Sequence, residues 1–172
     1  MNKDFFEEFS PIFQELNLTQ SVDIKENGDI FDLAHAFLSI ASMTHKKLQK
    51  LCYYAKAWYL ALKDENLIDD DFEAWVHGAV QPNLYQEYKV YGFNYIPVYN
   101  NIQTIPEEFL AFANEVYASY GDLDGNELEQ LNHTEIPWIN ARKGLKPWQG
   151  CRNIIKEDDM KKYYRTLIED EE

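Results

Sequence analysis

Between Thr44 and Lys63 the residues Leu48, Leu51, Cys52, Ala55, Trp58, Tyr59 and Leu62 recur at spacings of three and four. At about 100° per residue they fall within one arc of about 120°, the width of a core-facing helical stripe. Thr44 stands where a side-chain oxygen can cap the first turn. The pattern predicts a long helix at the centre of the fold. Its opposite face carries Lys46, Gln49, Lys50, Tyr53, Lys56 and Lys63. Two readings of that face stay open: a solvated surface answered by acids elsewhere, or a docking surface in which Lys46, Lys50 and Lys56 meet a partner.

The remaining pattern is helical with little strand. FDLAHAFLSIA, from residue 31, reads as a helix, and FEAWV, from residue 72, alternates as a short strand. Pro82 suits a first helical turn, with Leu84, Tyr85, Tyr88 and Tyr91 following at helical spacing until Gly92. GFNYIPVYNNIQTI reads as a loop or irregular hairpin. A helix from Pro106 carries Phe109, Phe112, Ala113, Val116 and Tyr120, a shorter one starts near Asp124, and Thr134 is expected to cap the turn into Pro137 and Trp138. RNIIK reads as extended, before a last helix in EDDMKKYYRTLI. The fold class is therefore mainly α: a compact single domain of about six to eight helices with one or two short strands.

Residues 1–30 read as an appendage, a helix plus linker, ahead of a domain spanning 31–172. In the arm Phe5, Phe6, Phe9, Ile12, Phe13 and Leu16 form one apolar face, and two basic residues stand against seven acidic ones. Phe5, Phe6, Phe9 and Phe13 could bury themselves on a partner.

Composition excludes several classes. Sixteen basic against thirty acidic residues give a net charge of −14, which repels phosphates and anionic membranes and makes direct nucleic-acid binding an unfavourable reading. The start MNKDFFEEF has no secretory pattern, and no run approaches the ~18 apolar residues of a membrane span. A cytoplasmic protein with no membrane association is expected. Cys52 and Cys151 make no C-x-x-C motif, and Cys52 reads as a small core residue. His35, His45, His77 and His133 show no H-E-x-x-H pattern, and no nucleophile elbow, P-loop or dinucleotide fingerprint occurs among seven glycines. No catalytic, metal or cofactor site is expected, and the chain's work is read as binding.

Two blocks carry a resemblance. Met43, Thr44, Lys47, Leu48, Gln49, Lys50, Leu51, Tyr53, Tyr54 and Ala55 form the first; Ala74, Trp75, Gly78, Val80, Pro82 and Tyr85 form the second. With His133, Glu135, Pro137, Trp138, Ala141 and Arg142 further on, they resemble the Panacea domain, the family of SocA-like antitoxins and phage-associated GepA-type proteins, over about 31–165. Ala79 stands where the family usually has Pro, so a looser turn after Gly78 is expected. The resemblance implies a helical scaffold without catalysis that neutralises a toxin encoded beside it by direct binding. One branch of the family delivers its toxin to a protease. A phage or mobile-element counter-defence protein with a nucleic-acid-mimicking acidic surface is the alternative reading, and a homo-oligomer is compatible with either.

Overall fold

The computed structural model describes residues 28–169. The phenylalanine-rich helix and most of the linker read in residues 1–30 lie outside the described residues. Among those described are seven α-helices and two small two-stranded sheets, the mainly helical class that the periodicity predicts.

Helix α1 spans Ile30–Ile40. Asp29 caps it reciprocally: its carboxylate accepts from Phe31 and Asp32 amides while Asp32 answers the Asp29 amide. Strand β1 (Met43–Thr44) leads into α2 (His45–Lys63), which Thr44 caps through the Lys47 amide. The predicted stripe is buried apart from a half-buried Leu62, with Cys52 in the core. The hairpin β2 (Glu73–Trp75) and β3 (Gly78–Val80) follows, then α3 (Pro82–Tyr88) with Pro82 in its first turn and Gln81 capping the Leu84 amide. A 3-10 turn, Lys89–Tyr91, carries α3 to Gly92. Strand β4 (Tyr95–Ile96) precedes α4 (Glu107–Tyr120), α5 (Gly125–His133), α6 (Ile136–Ala141) and α7 (Glu157–Glu169). Helices α1, α4, α5 and α7 pack around α2, with α1 also against α4.

Four local expectations change. The face of α2 opposite the stripe is not solvated: Gln49, Lys50, Tyr53 and Lys56 are all buried, Lys50 and Lys56 at 1% and 0% exposure. The segment after Gly92 is no local hairpin, because Tyr95 and Ile96 pair antiparallel with Thr44 and Met43 and so tie the segment to the start of α2. FEAWV is a strand only over Glu73–Trp75; the chain turns at Val76–His77 and pairs Glu73, Ala74 and Trp75 with Val80, Ala79 and Gly78. Thr134 closes α5 instead of capping α6, its hydroxyl donating to the Leu131 carbonyl at 2.7 Å. Glu135 holds the cap position of α6 while its carboxylate turns inward.

Candidate functional site

The motif residues Gln49, Lys50, Gly78 and Glu135 meet in a buried polar frame between α2, the hairpin, α5 and α7. Gly78 makes the frame feasible. Its φ of +95° is a conformation that side-chain-bearing residues rarely adopt, and a Cβ there would sit 2.7 Å from Lys50 Cε and 2.9 Å from Asn132 Oδ1. Through that opening Lys50 Nζ donates to the Ala79 carbonyl at 3.0 Å, and the Ala79 amide donates to Asn132 Oδ1 at 2.7 Å. The turn after Gly78 is therefore fastened rather than loose, and proline at 79 would lack the donor this bond uses. Gln49 and Gln81 add a reciprocal pair at 2.8 and 3.0 Å, side chain to backbone.

Asn132 continues the frame to Glu135 at 3.3 Å, and the same Glu135 Oε2 accepts from Tyr164 at 2.8 Å and Tyr54 at 3.1 Å. Burial pushes the Glu135 carboxyl up to about 7 while these three donors pull it down. Burial also pushes the Lys50 ammonium down to about 7. With Glu135 3% exposed and Lys50 1%, both groups are enclosed by the fold. Their partners are other residues of the frame, so they serve its architecture.

Outside this frame the hairpin carries aromatic side chains. Trp75 and Tyr85 meet edge to face with centroids 5.0 Å apart, and Trp138 donates its indole N–H to the Trp75 carbonyl at 3.0 Å. His133 stacks on one side of Trp138 at 4.2 Å, and the Arg142 guanidinium lies 5.0 Å from its ring. Arg142 is buried and donates to the carbonyls of Ala74, Lys146, Pro147 and Gln149, at 2.9, 3.3, 3.2 and 2.6 Å. It thereby folds residues 143–150 into a lobe against β2. The other end of the lobe is pinned by the Ala74 amide to the Asn153 carbonyl and by the Ile155 amide to the Phe72 carbonyl, each at 2.8 Å.

The lobe is cationic and apolar. Lys143, Lys146 and Arg152 are exposed, as are Ile136, Ile139, Leu145 and Ile154, with Trp148 at 71%. Lys146 Nζ lies 5.3 Å from the Trp148 ring and Arg152 5.9 Å from the Trp75 ring. Depressions on this side are lined by His133, Trp138, Ile139 and Leu145, and by Trp75, His77, Cys151 and Arg152. Sequence reading missed the lobe, apart from Arg142 as a motif position. A signal was present: residues 136–156 hold Arg142, Lys143, Lys146, Arg152 and Lys156 and not one acid.

Of the residues expected to meet a partner, the structure describes Lys46, Lys50 and Lys56. Phe5, Phe6, Phe9 and Phe13 lie outside the described residues. Lys50 and Lys56 are corrected as surface residues: Lys56 donates to the Asp70 carbonyl at 2.7 Å and pairs with Glu157 at 2.7 Å, beneath the surface. Lys46 is partly exposed but engaged, bonded to Asn126 at 2.8 Å and ion-paired with Glu129. Leu48, Leu51, Tyr53, Ala74, Val80 and Pro137 of the two blocks and the later motif are buried, Pro82 is half-buried, and the half-buried Lys47 donates to the Gly121 carbonyl. His77 is exposed and lies 2.9 Å from Glu129, which also faces His133 at 4.0 Å. Among the described residues no group of three or more His, Cys, Asp or Glu is placed to hold a metal ion.

The model of the family described as Antitoxin SocA-like, Panacea domain matches residues 48–139. That is more than half of the 172-residue chain, and the chain belongs to this family. The matched stretch contains most of α2, the hairpin, α3, α4, α5 and Trp138; α1 and α7, which complete the cover of α2, lie outside it. No curated protein and no solved structure matches the chain. No helix among the described residues is long and apolar enough to cross a membrane.

Proposed function

We propose that this protein is an antitoxin that neutralises a cognate protein toxin, encoded by an adjacent gene, by direct binding. The observation that carries the reading is the family match over residues 48–139. The physical character of the molecule supports it. Lys50 and Glu135 are enclosed, whereas the exposed Lys143, Lys146 and Trp148 lie on a framework fixed by Arg142, as a binding surface requires. In this reading the acidic arm 1–30 adds contacts through Phe5, Phe6, Phe9 and Phe13.

The test is to express each neighbouring gene from an inducible promoter with and without this chain. Growth arrest by one product, relieved by co-expression and accompanied by co-elution of the two proteins, is the expected result. If no neighbouring product is toxic, or if relief occurs without a complex, the reading fails. Deleting residues 1–30 while keeping full relief would remove the arm's role alone.

A further inference from the structure

We infer that the lobe of residues 142–152 is the surface on which the partner docks, and that the partner segment it receives is acidic and apolar. The inference deepens the antitoxin reading and rests on it for the identity of the partner as a toxin. It sets a local sign opposite to the sign that the net charge suggests. In a chain of sixteen basic and thirty acidic residues, residues 136–156 carry five of the former and none of the latter.

Elsewhere four cations are answered by carboxylates: Lys46 by Glu129, Lys56 by Glu157, and Lys161 and Arg165 by Asp64. The exposed Lys89 and Lys162 stand apart from one another, on the turn after α3 and on α7. Among the described residues, Lys143, Lys146, Arg152 and Lys156 make no ion pair with a carboxylate, and all four are exposed. The same stretch exposes apolar side chains: Ile139, Leu145, Trp148 and Ile154. A surface of this composition, aromatic and cationic with its lysines unanswered, is complementary to carboxylates set among aromatic or aliphatic residues.

Two further observations define the occupant. Arg142 holds the carbonyls of Lys146, Pro147 and Gln149, so the lobe is shaped before anything arrives and little ordering is required on binding. A nucleic acid, the other polyanion, would extend past the lobe into the field of a chain of net charge −14 and be repelled along its length. A short acidic protein segment meets only the lobe. The geometry therefore favours a protein.

The experiment has two arms. In the first, the purified full chain is titrated with a fluorescent random copolymer of glutamate and tyrosine, and separately with an oligo-deoxythymidine of similar length. The copolymer should bind. The K143E/K146E/R152E variant should weaken it about 30-fold and W148A about 10-fold, with far-ultraviolet circular dichroism and melting temperature showing that both variants remain folded. Absence of copolymer binding, or equal binding by the triple variant, overturns the assignment; tighter binding of the oligonucleotide overturns the protein occupant.

In the second arm, the same variants are co-expressed with the cognate toxin beside V90S/F93S, which alters exposed apolar residues outside residues 142–152. Growth relief should be lost with the triple variant and kept with V90S/F93S. If wild type and triple variant relieve arrest equally, the lobe assignment falls and the antitoxin reading stands. If the lobe binds copolymer while the wild type relieves no toxin, the antitoxin reading falls and the surface assignment stands.

Discussion

Residues 44–63 and 136–156 are matched in charge: each holds five of the sixteen basic residues and none of the thirty acidic ones. Their fates are opposite. In α2 two lysines are fully enclosed, because Ala79 in β3 and Asp70 in the loop before β2 bring backbone carbonyls, and α7 brings Glu157, to within hydrogen-bonding distance. In the lobe only Arg142 is enclosed, on carbonyls it gathers itself, and the remaining cations face water. Cation density does not determine whether a segment is surface. The deciding quantity is the supply of acceptors from the rest of the chain, since an enclosed charge without them costs several kcal/mol.

The sharpest way to break the contrast is Lys50→Glu, which puts a carboxylate against the Ala79 carbonyl and Asn132 Oδ1. A loss of more than about 4 kcal/mol, or failure to fold, is expected, read by urea denaturation. Arg142→Ala comes next. It removes donors from four carbonyls and should cost about 3 kcal/mol, with faster amide hydrogen exchange concentrated in residues 143–150. Exchange that rises evenly over the whole chain would show that Arg142 supports the core rather than the lobe.

The third prediction uses pH. Between about 4.5 and about 7 an unfolded glutamate has lost the proton that folded Glu135 keeps, so stability falls as pH rises through this window. Between about 7 and about 10.5 an unfolded lysine keeps the proton that folded Lys50 has released, so stability climbs again. The two groups together contribute a minimum near neutrality. Glu135→Gln should flatten the acid limb and Lys50→Met the alkaline limb in unfolding free energies measured across the range; a variant whose limb keeps the wild-type slope would refute the assignment for that group. The smallest effect belongs to Lys143→Glu with Lys146→Glu, which should leave stability within about 0.5 kcal/mol because these side chains are exposed and unpaired. A larger loss would mean that the lobe's cations are structural, as those of α2 are.

What the sequence revealed divides along the same line. Periodicity located α2, and local chemistry located its Thr44 cap, the Pro82 start of α3 and the start of α5 near Asp124, because those signals lie within a few residues of their effects. The fate of the polar face of α2 was not legible: the partners of Lys50 and Lys56 come from Ala79, Asp70 and Glu157, and nothing near a lysine announces a carbonyl arriving from another element. Strand β4 was missed for a similar reason, since Tyr95 and Ile96 find their partners before α2. The β2–β3 turn has Val76 and His77 at its tip in place of the Asn-Gly or Asp-Gly that marks a hairpin, and Gly78 follows one residue later. The motif residues Trp75, Gly78, Glu135 and Trp138 were recognisable, but that Gly78 and Glu135 meet in one frame and Trp75 and Trp138 beside it appears only when α5, α6 and the hairpin are assembled.

The fastening of Asn153 and Ile155 to Ala74 and Phe72, with Arg142 at the opposite end, makes residues 143–150 a cassette. Both anchors are made to main-chain carbonyls and amides, which every residue except proline supplies in full, so the anchoring places almost no demand on the identity of the side chains between them. Side chains of the lobe can therefore be exchanged while the mould that shapes it stays in place.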